Sequence, residues 1–176
     1  MTANRVLADF PAEGHDHRLC LADALRSAEE RCASQGLRLT PLRRQVLELV
    51  WQHHEPVKAY DLLELLRSRH RAAAPPTVYR ALEFLQNAGL VHRIESLNAF
   101  IGCGDPSAPH PGQFLICSDC STVAELDDPA ISRVLAREAT RLGFQIESQT
   151  IEVRGLCPRC RGGRRTPDRG PAASHP

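Results

Sequence analysis

The chain has 176 residues, 42% of them hydrophobic, and a formal net charge of +1. That is enough for one domain or two small ones, and the composition is that of a soluble globular protein. No stretch is long or apolar enough to span a bilayer, and no basic segment leads into an apolar run near the start, so a cytoplasmic protein is expected, with no membrane partner. Reduced thiols follow from that location, and the seven cysteines therefore read as metal ligands before disulfides. The balanced charge hides a bias. Residues 37–95 carry nine Lys/Arg against six Asp/Glu, whereas residues 96–160 carry five against eight. This mildly favours a polyanion partner for the first half.

Residues 1–18 show no periodicity and read as a flexible tail. His15 and His17 within it have no assigned role, nor has Cys20. Residues 19–35 predict a helix, with Leu21, Leu25, Ala28 and Cys32 on one face and Gly36 as its stop. Thr40 caps a second helix and Pro41 takes its first position, where no N–H is needed. Leu42, Val46, Leu49 and Val50 form its inner face, and His53 to Pro56 end it. A third helix is expected over 58–70, with Ala59, Leu62, Leu63 and Leu66 inward. A turn through Ala72 to Pro76 separates it from a fourth helix opening at Thr77. In that helix Val78, Ala81, Leu82 and Leu85 face inward, Tyr79, Arg80, Glu83 and Gln86 face outward, and Gly89 closes it. Two short apolar runs, 90–94 and 99–101, then predict a β-hairpin.

Helices followed by a hairpin form the pattern of a winged helix-turn-helix over 19–101. The fourth helix is the candidate recognition helix and the hairpin is the wing. A small helical bundle without a nucleic-acid role remains the alternative on pattern alone. Residues 102–112 are rich in Gly and Pro and read as a hinge linker. A second domain over 113–160 is expected to hold a strand pair, 114–117 and 122–126. A helix capped by Asp128 follows, with Ile131, Val134, Leu135, Ala139 and Leu142 inward. A strand over 144–154 comes last, with a bulge or a misplaced boundary between Ile146 and Ile151. Residues 161–176 read as a disordered tail. The fold class is α+β.

Two constellations carry chemistry. Cys117, Cys120, Cys157 and Cys160 form two C-x-x-C pairs, each putting two thiolates on one tight turn, and together they make a closed structural zinc site. A redox dithiol would instead favour a single pair at a helix start. The closed set leaves no open coordination position, so no catalysis is assigned to it. The second constellation is His92, Cys103, His110 and Glu125: two imidazoles, a thiolate and a carboxylate from the wing, the linker and the second domain. Such a set suits a four-coordinate zinc. Read from the residues alone, it competes with ordinary half-buried side chains.

The runs Leu39-Thr40-Pro41 and Pro75-Pro76-Thr77-Val78-Tyr79-Arg80-Ala81-Leu82, with the two C-x-x-C pairs behind them, resemble the ferric uptake regulator superfamily over about residues 20–160. Only His110 remains of the His-rich run that iron-sensing members carry before the first pair, and Cys103 stands in the linker. These details are similar to the zinc uptake regulator branch, whose regulatory site matches at His92, Cys103, His110 and Glu125. The resemblance implies a homodimer built on the second domain and two zinc ions per subunit, one structural and one regulatory. It also implies that Tyr60 and Arg80 approach bases; Thr77 and Tyr79 complete the candidate DNA-binding set. Glu64 and Arg67 are candidates for pairing between neighbouring dimers on DNA.

The expected function is a zinc-sensing transcriptional repressor that binds palindromic double-stranded operator DNA as a zinc-loaded dimer and represses zinc uptake genes. It is not expected to be an enzyme or to take a small-molecule substrate. The alternatives are a regulator of another metal or of peroxide, and a zinc-dependent enzyme. For the enzyme, His53-x-Glu55 with a later C-x-x-C is similar to nucleobase deaminases. Those place Pro directly before the first Cys, where this chain has Ile116 and Leu156.

Overall fold

A computed structural model describes residues 5–10, 17–52, 55–69 and 74–163. The first half is helical: α1 (His17–Ser34), α2 (Pro41–Trp51), α3 (Ala59–Arg69) and α4 (Pro75–Asn87). Their apolar faces form one core holding Leu25, Ala28, Cys32, Val46, Leu49, Val50, Leu62, Leu63, Leu66, Val78, Leu82 and Leu85. Leu47, not expected inside, is also buried, while Leu42 is only partly covered. The Thr40 hydroxyl accepts from the Arg43 N–H and caps α2 as its sequence suggests. Helix α4 opens at Pro75, two residues before Thr77, because both prolines fit the first turn, where their missing N–H groups are not needed. Gly89, at φ +72°, reverses the chain after α4 while the Leu90 N–H donates to the Leu85 carbonyl.

Strands β2 (Val91–Ile94) and β3 (Ala99–Gly102) pair antiparallel as the wing, and a 3₁₀ turn over Glu95–Leu97 forms its tip. The second half is a four-stranded sheet in the order β1-β5-β4-β6. It is built from β1 (Arg5–Ala8), β4 (Gly112–Cys117), β5 (Val123–Asp127) and β6 (Thr150–Gly155). Strand β4 runs antiparallel to β5 and parallel to β6, the intervening α5 (Pro129–Arg141) making the crossover. A short helix, α6 (Pro158–Arg161), follows β6.

Four expectations need correction. Residues 5–8 of the supposed tail are a strand on β5, with Val6 opposite Leu126 and Ala8 opposite Glu125. The last strand begins at Thr150, so the phase change near Ile146 marks a misplaced boundary, and Phe144 and Ile146 lie outside the sheet. Helix α5 is capped by Asp128 as expected, but it has no buried residue; Val134, Leu135 and Leu142 are exposed. Among the described residues nothing fully covers its apolar stripe, though Ile131 and Ala139 are half-buried. Strand β4 starts at Gly112, which shortens the linker. His15, His53 and His54, residues 70–73 including the start of the expected turn, and the end of the chain from 164 lie outside the described residues.

The two halves are packed together. Ile94, Leu97 and Ile101 of the wing meet Phe114, Ile116 and Val123 of the second sheet in a small apolar cluster. Among the described residues no helix is long and apolar enough to cross a membrane.

Candidate metal centres and nucleic-acid face

Both expected ligand sets converge in space. Within each set the ligand atoms lie within 4.8 Å of one another. In the four-cysteine set, Cys117 ends β4 and Cys120 follows on a tight turn, which Ser121 closes in the left-handed region at φ 60°. The chain after β6 brings Cys157 and Cys160 alongside, because the Ser118 N–H donates to the Gly155 carbonyl. Cys120 Sγ and Cys157 Sγ are 3.8 Å apart. A tetrahedral zinc with sulfurs at about 2.3 Å would set its sulfurs about 3.8 Å from one another. Burial works to raise the Cys117 thiol, but the backbone N–H groups of Cys157, Cys120 and Asp119 outweigh it and favour the thiolate. All seven cysteines are free thiols.

The second set joins three elements. β2 supplies His92, the linker supplies Cys103 and His110, and β5 supplies Glu125. Glu125 is only 2% exposed, and its Oε1 lies 2.7 Å from His92 Nε2 and 2.8 Å from His110 Nε2. Cys103 Sγ is 3.6 Å from His110 Nε2. Outer contacts hold these side chains. The Gly104 N–H donates to Glu125 Oε2 at 2.8 Å, His110 Nδ1 contacts the Ala108 carbonyl at 3.1 Å, and the Phe114 ring meets the His92 ring edge-on. The backbone of Leu7 in β1 packs so closely on Gly104 that a Cβ there would lie 2.6 Å from the Leu7 carbonyl oxygen. The N-terminal strand thus flanks this set, a contact that four residues without a readable alternation did not signal.

Contacts within this set shift all four side chains from their ordinary values. Burial opposes charge on His92, yet Cys103 and Glu125 together raise it to about 9. Cys103 and then Glu125 raise His110 to about 11. Burial works to raise Glu125, but the two histidines hold it down to about 2, and they also bring Cys103 below its ordinary value against burial. The approach of His92 Nε2 to Glu125 is not aligned as a hydrogen bond. That buried nitrogen therefore has no hydrogen-bond partner among the described residues. A buried, unsatisfied ring nitrogen facing a thiolate, an imidazole and a carboxylate fits a metal ligand better than a structural histidine.

The candidate DNA-binding residues lie on α3 and α4. Tyr60 at the start of α3 is 67% exposed and Tyr79 in α4 is 59% exposed. Arg80 is exposed and Thr77 half-buried in the first turns of α4. Arg80 makes no hydrogen bond or ion pair among the described residues, so its guanidinium is available. The Arg43 guanidinium lies over the Phe84 ring at 3.5 Å and ties α2 to α4. Glu64 and Arg67 pair with one another within α3 at 3.0 Å.

A sequence model of the ferric uptake regulator family matches residues 34–154. The chain belongs to this family. It is 40% identical over 139 residues to the zinc uptake regulation protein of Escherichia coli (strain K12), covering 78% of this chain and 81% of that one. It is 30% identical over 132 residues to the zinc uptake regulation protein of Mycobacterium tuberculosis (strain ATCC 25618 / H37Rv), covering 73% and 98%. Its fold is similar to that of a zinc uptake regulator complexed with zinc and DNA, at a TM-score of 0.78 and 38% identity, covering 81% of this chain and 96% of that one. It is also similar to holo XcZur, at 0.74 and 48% identity, covering 80% and 98%. Members of this family are transcription regulators, which places this chain among DNA-binding proteins.

Proposed function

We propose that this chain is a cytoplasmic, zinc-responsive transcriptional repressor that binds palindromic operator DNA as a dimer and holds two zinc ions per subunit. The observation that carries the reading is the placement of His92, Cys103, His110 and Glu125. They converge within 4.8 Å although they come from the wing, the linker and the second sheet. Only a ligand set that spans the hinge can tie metal occupancy to the posture of the DNA-binding half. A bound zinc supplies coordinate bonds to all four side chains at once. His92 and Cys103 are then held against His110 and Glu125, and the winged domain is fixed to the second domain. Without those bonds the set retains only proton-mediated contacts, and the two recognition helices of a dimer are less often spaced to fit one operator. The thiolate of Cys103 favours Zn(II) over the harder Fe(II) and Mn(II), which argues against an iron or peroxide sensor.

Cys117, Cys120, Cys157 and Cys160 hold the structural ion in this reading and join the end of β4 to the segment after β6. A site wholly inside one domain stabilises that domain and cannot report on the hinge. The second subunit lies against the uncovered apolar side chains of the second domain, among them Val134, Leu135, Leu142, Phe144 and Val153. Zinc uptake genes are the targets by analogy with the named function of the relatives.

The test is a titration of DNA binding against buffered free zinc, with a duplex selected by the zinc-loaded protein from a random pool. Wild type is expected to bind only as zinc rises. Cys103→Ser is expected to stay folded and dimeric, to keep one zinc, and to lose the zinc dependence. Unchanged zinc-dependent binding by Cys103→Ser would remove the four-residue site from the mechanism.

A further inference from the structure

Glu152 has no part in either metal set or in the DNA face, yet it makes the polar contact that joins the second sheet to the wing tip. It lies in β6 at the edge of that sheet, opposite Phe114 of β4. Its carboxylate reaches out of the sheet to the wing. Oε1 accepts from the Glu95 N–H at 2.6 Å, and Oε2 accepts from the Ser96 N–H at 3.1 Å. These two amides open the 3₁₀ turn, whose preceding residue, Ile94, offers no side-chain cap. The turn therefore leaves its first donors without a local partner, and a residue 57 positions away satisfies them. A charged acceptor taking two backbone N–H groups is among the stronger protein hydrogen-bond arrangements. Partial burial works against the Glu152 charge, but Ser96 and Glu95 hold its carboxyl below the usual carboxylate range.

The contact has a specific place in the interface. His92 lies near the start of β2, and Glu95 and Ser96 lie just past its end. Beside them Ile94, Leu97 and Ile101 of the wing pack on Phe114, Ile116 and Val123. An apolar contact of this size resists separation but is non-directional, so alone it leaves the wing free to pivot. The metal set pins one end of the wing and the Glu152 carboxylate pins the other. Two pinned points define an angle where one does not.

We propose that Glu152 is a positioning residue that sets the angle of the wing on the second domain, so that DNA binding requires this tether as well as an occupied regulatory site. This rests on the reading of the chain as a zinc-responsive DNA-binding protein. The hydrogen bonds of Glu152 among the described residues go to the wing tip and not to a metal ligand or the recognition helix, so its removal is expected to leave the ligands and the DNA-facing residues in place.

The experiment compares full-length wild type, Glu152→Ala and Glu152→Gln, all zinc-loaded. Zinc content and dimer mass are measured first, then amide exchange at Glu95 and Ser96, then affinity for the duplex selected by wild type. Glu152→Ala is expected to keep the wild-type zinc content and mass, to lose protection at those two amides, and to bind the duplex about tenfold more weakly, as expected for loss of a charge-assisted bond. Glu152→Gln keeps the reach and one acceptor oxygen, so intermediate affinity and partial protection are expected. Wild-type affinity in Glu152→Ala would overturn the proposal, and so would a loss of zinc parallel to the loss of affinity, which would mark a merely structural role. Should wild type itself show no zinc-dependent binding, the functional reading fails, and the exchange of the two amides still decides whether the tether forms.

Discussion

In the proposed reading Cys103 would decide which metal the hinge-spanning set prefers, because it is the one sulfur in that set. Burial works to raise its thiol, but His110 and His92 outweigh that and hold it below its ordinary value. The same histidines make a prediction about protons. In the metal-free protein His92 and His110 titrate at about 9 and about 11, so both are protonated at pH 7. Coordination needs neutral imidazoles, so zinc must displace those protons. The sign is fixed: raised values mean protons compete more strongly as pH falls, and zinc affinity should rise with pH across neutrality, up to on the order of a hundredfold per pH unit for two displaced protons. Calorimetric titration in two buffers of different ionisation enthalpy should give different heats, and equal heats would contradict it. Cys117 behaves differently. Cys117→Ser removes a ligand from the closed set, whose ion contributes roughly 10 kcal/mol in small zinc domains. The second domain should unfold and the dimer dissociate, as seen by circular dichroism and sedimentation. A stable dimeric variant would contradict the structural role. At this scale the C-x-x-C pairs were legible from spacing alone. The hinge set was not, because its ligands share no local spacing and only the fold, or the resemblance, joins them.

Helix α4 shows how far periodicity carries. Its four inward residues, Val78, Ala81, Leu82 and Leu85, were readable from the 3.6-residue repeat because they all pack on one core within the chain. The opposite face leaves Arg80 exposed and without a partner among the described residues. Arg80→Ala should weaken zinc-loaded DNA binding by about 1–3 kcal/mol if the guanidinium reads a base, with relaxed preference at one position of the selected site. A change in salt dependence with no change in preference would mark a phosphate contact instead. Binding by competition at several salt concentrations separates the two. Helix α5 has an equally clear period, and there the inference of burial failed for a single chain. Period reports which face is apolar; it does not report what covers that face. The last strand is misjudged for a related reason: Phe144 and Ile146 are apolar enough to read as strand but lie outside the sheet and are exposed. Strand β1 escaped because four residues give no usable pattern and its partner strand lies far along the chain.

The second domain leaves several large apolar side chains exposed. Leu142 is 76% exposed, and Val134, Leu135, Phe144 and Val153 are exposed with it. Leu142→Glu should leave the subunit's own stability within about 0.5 kcal/mol, since it breaks no contact inside the core. It should halve the mass in sedimentation and reduce DNA affinity, because a single winged domain spans one half-site. A dimeric Leu142→Glu protein would point to another interface. The wing, the linker and β5 meet at His92, Cys103, His110 and Glu125, so zinc and DNA must be energetically coupled if the hinge is what zinc controls. Linkage requires the coupling to be the same in both directions. The most direct measurement is therefore the zinc affinity of the Cys103-containing set with and without the selected duplex, beside the duplex affinity with and without zinc at that set. The two ratios should agree and correspond to a coupling of about 1–3 kcal/mol, roughly 5–150-fold. Zinc affinity that is indifferent to DNA would contradict the account.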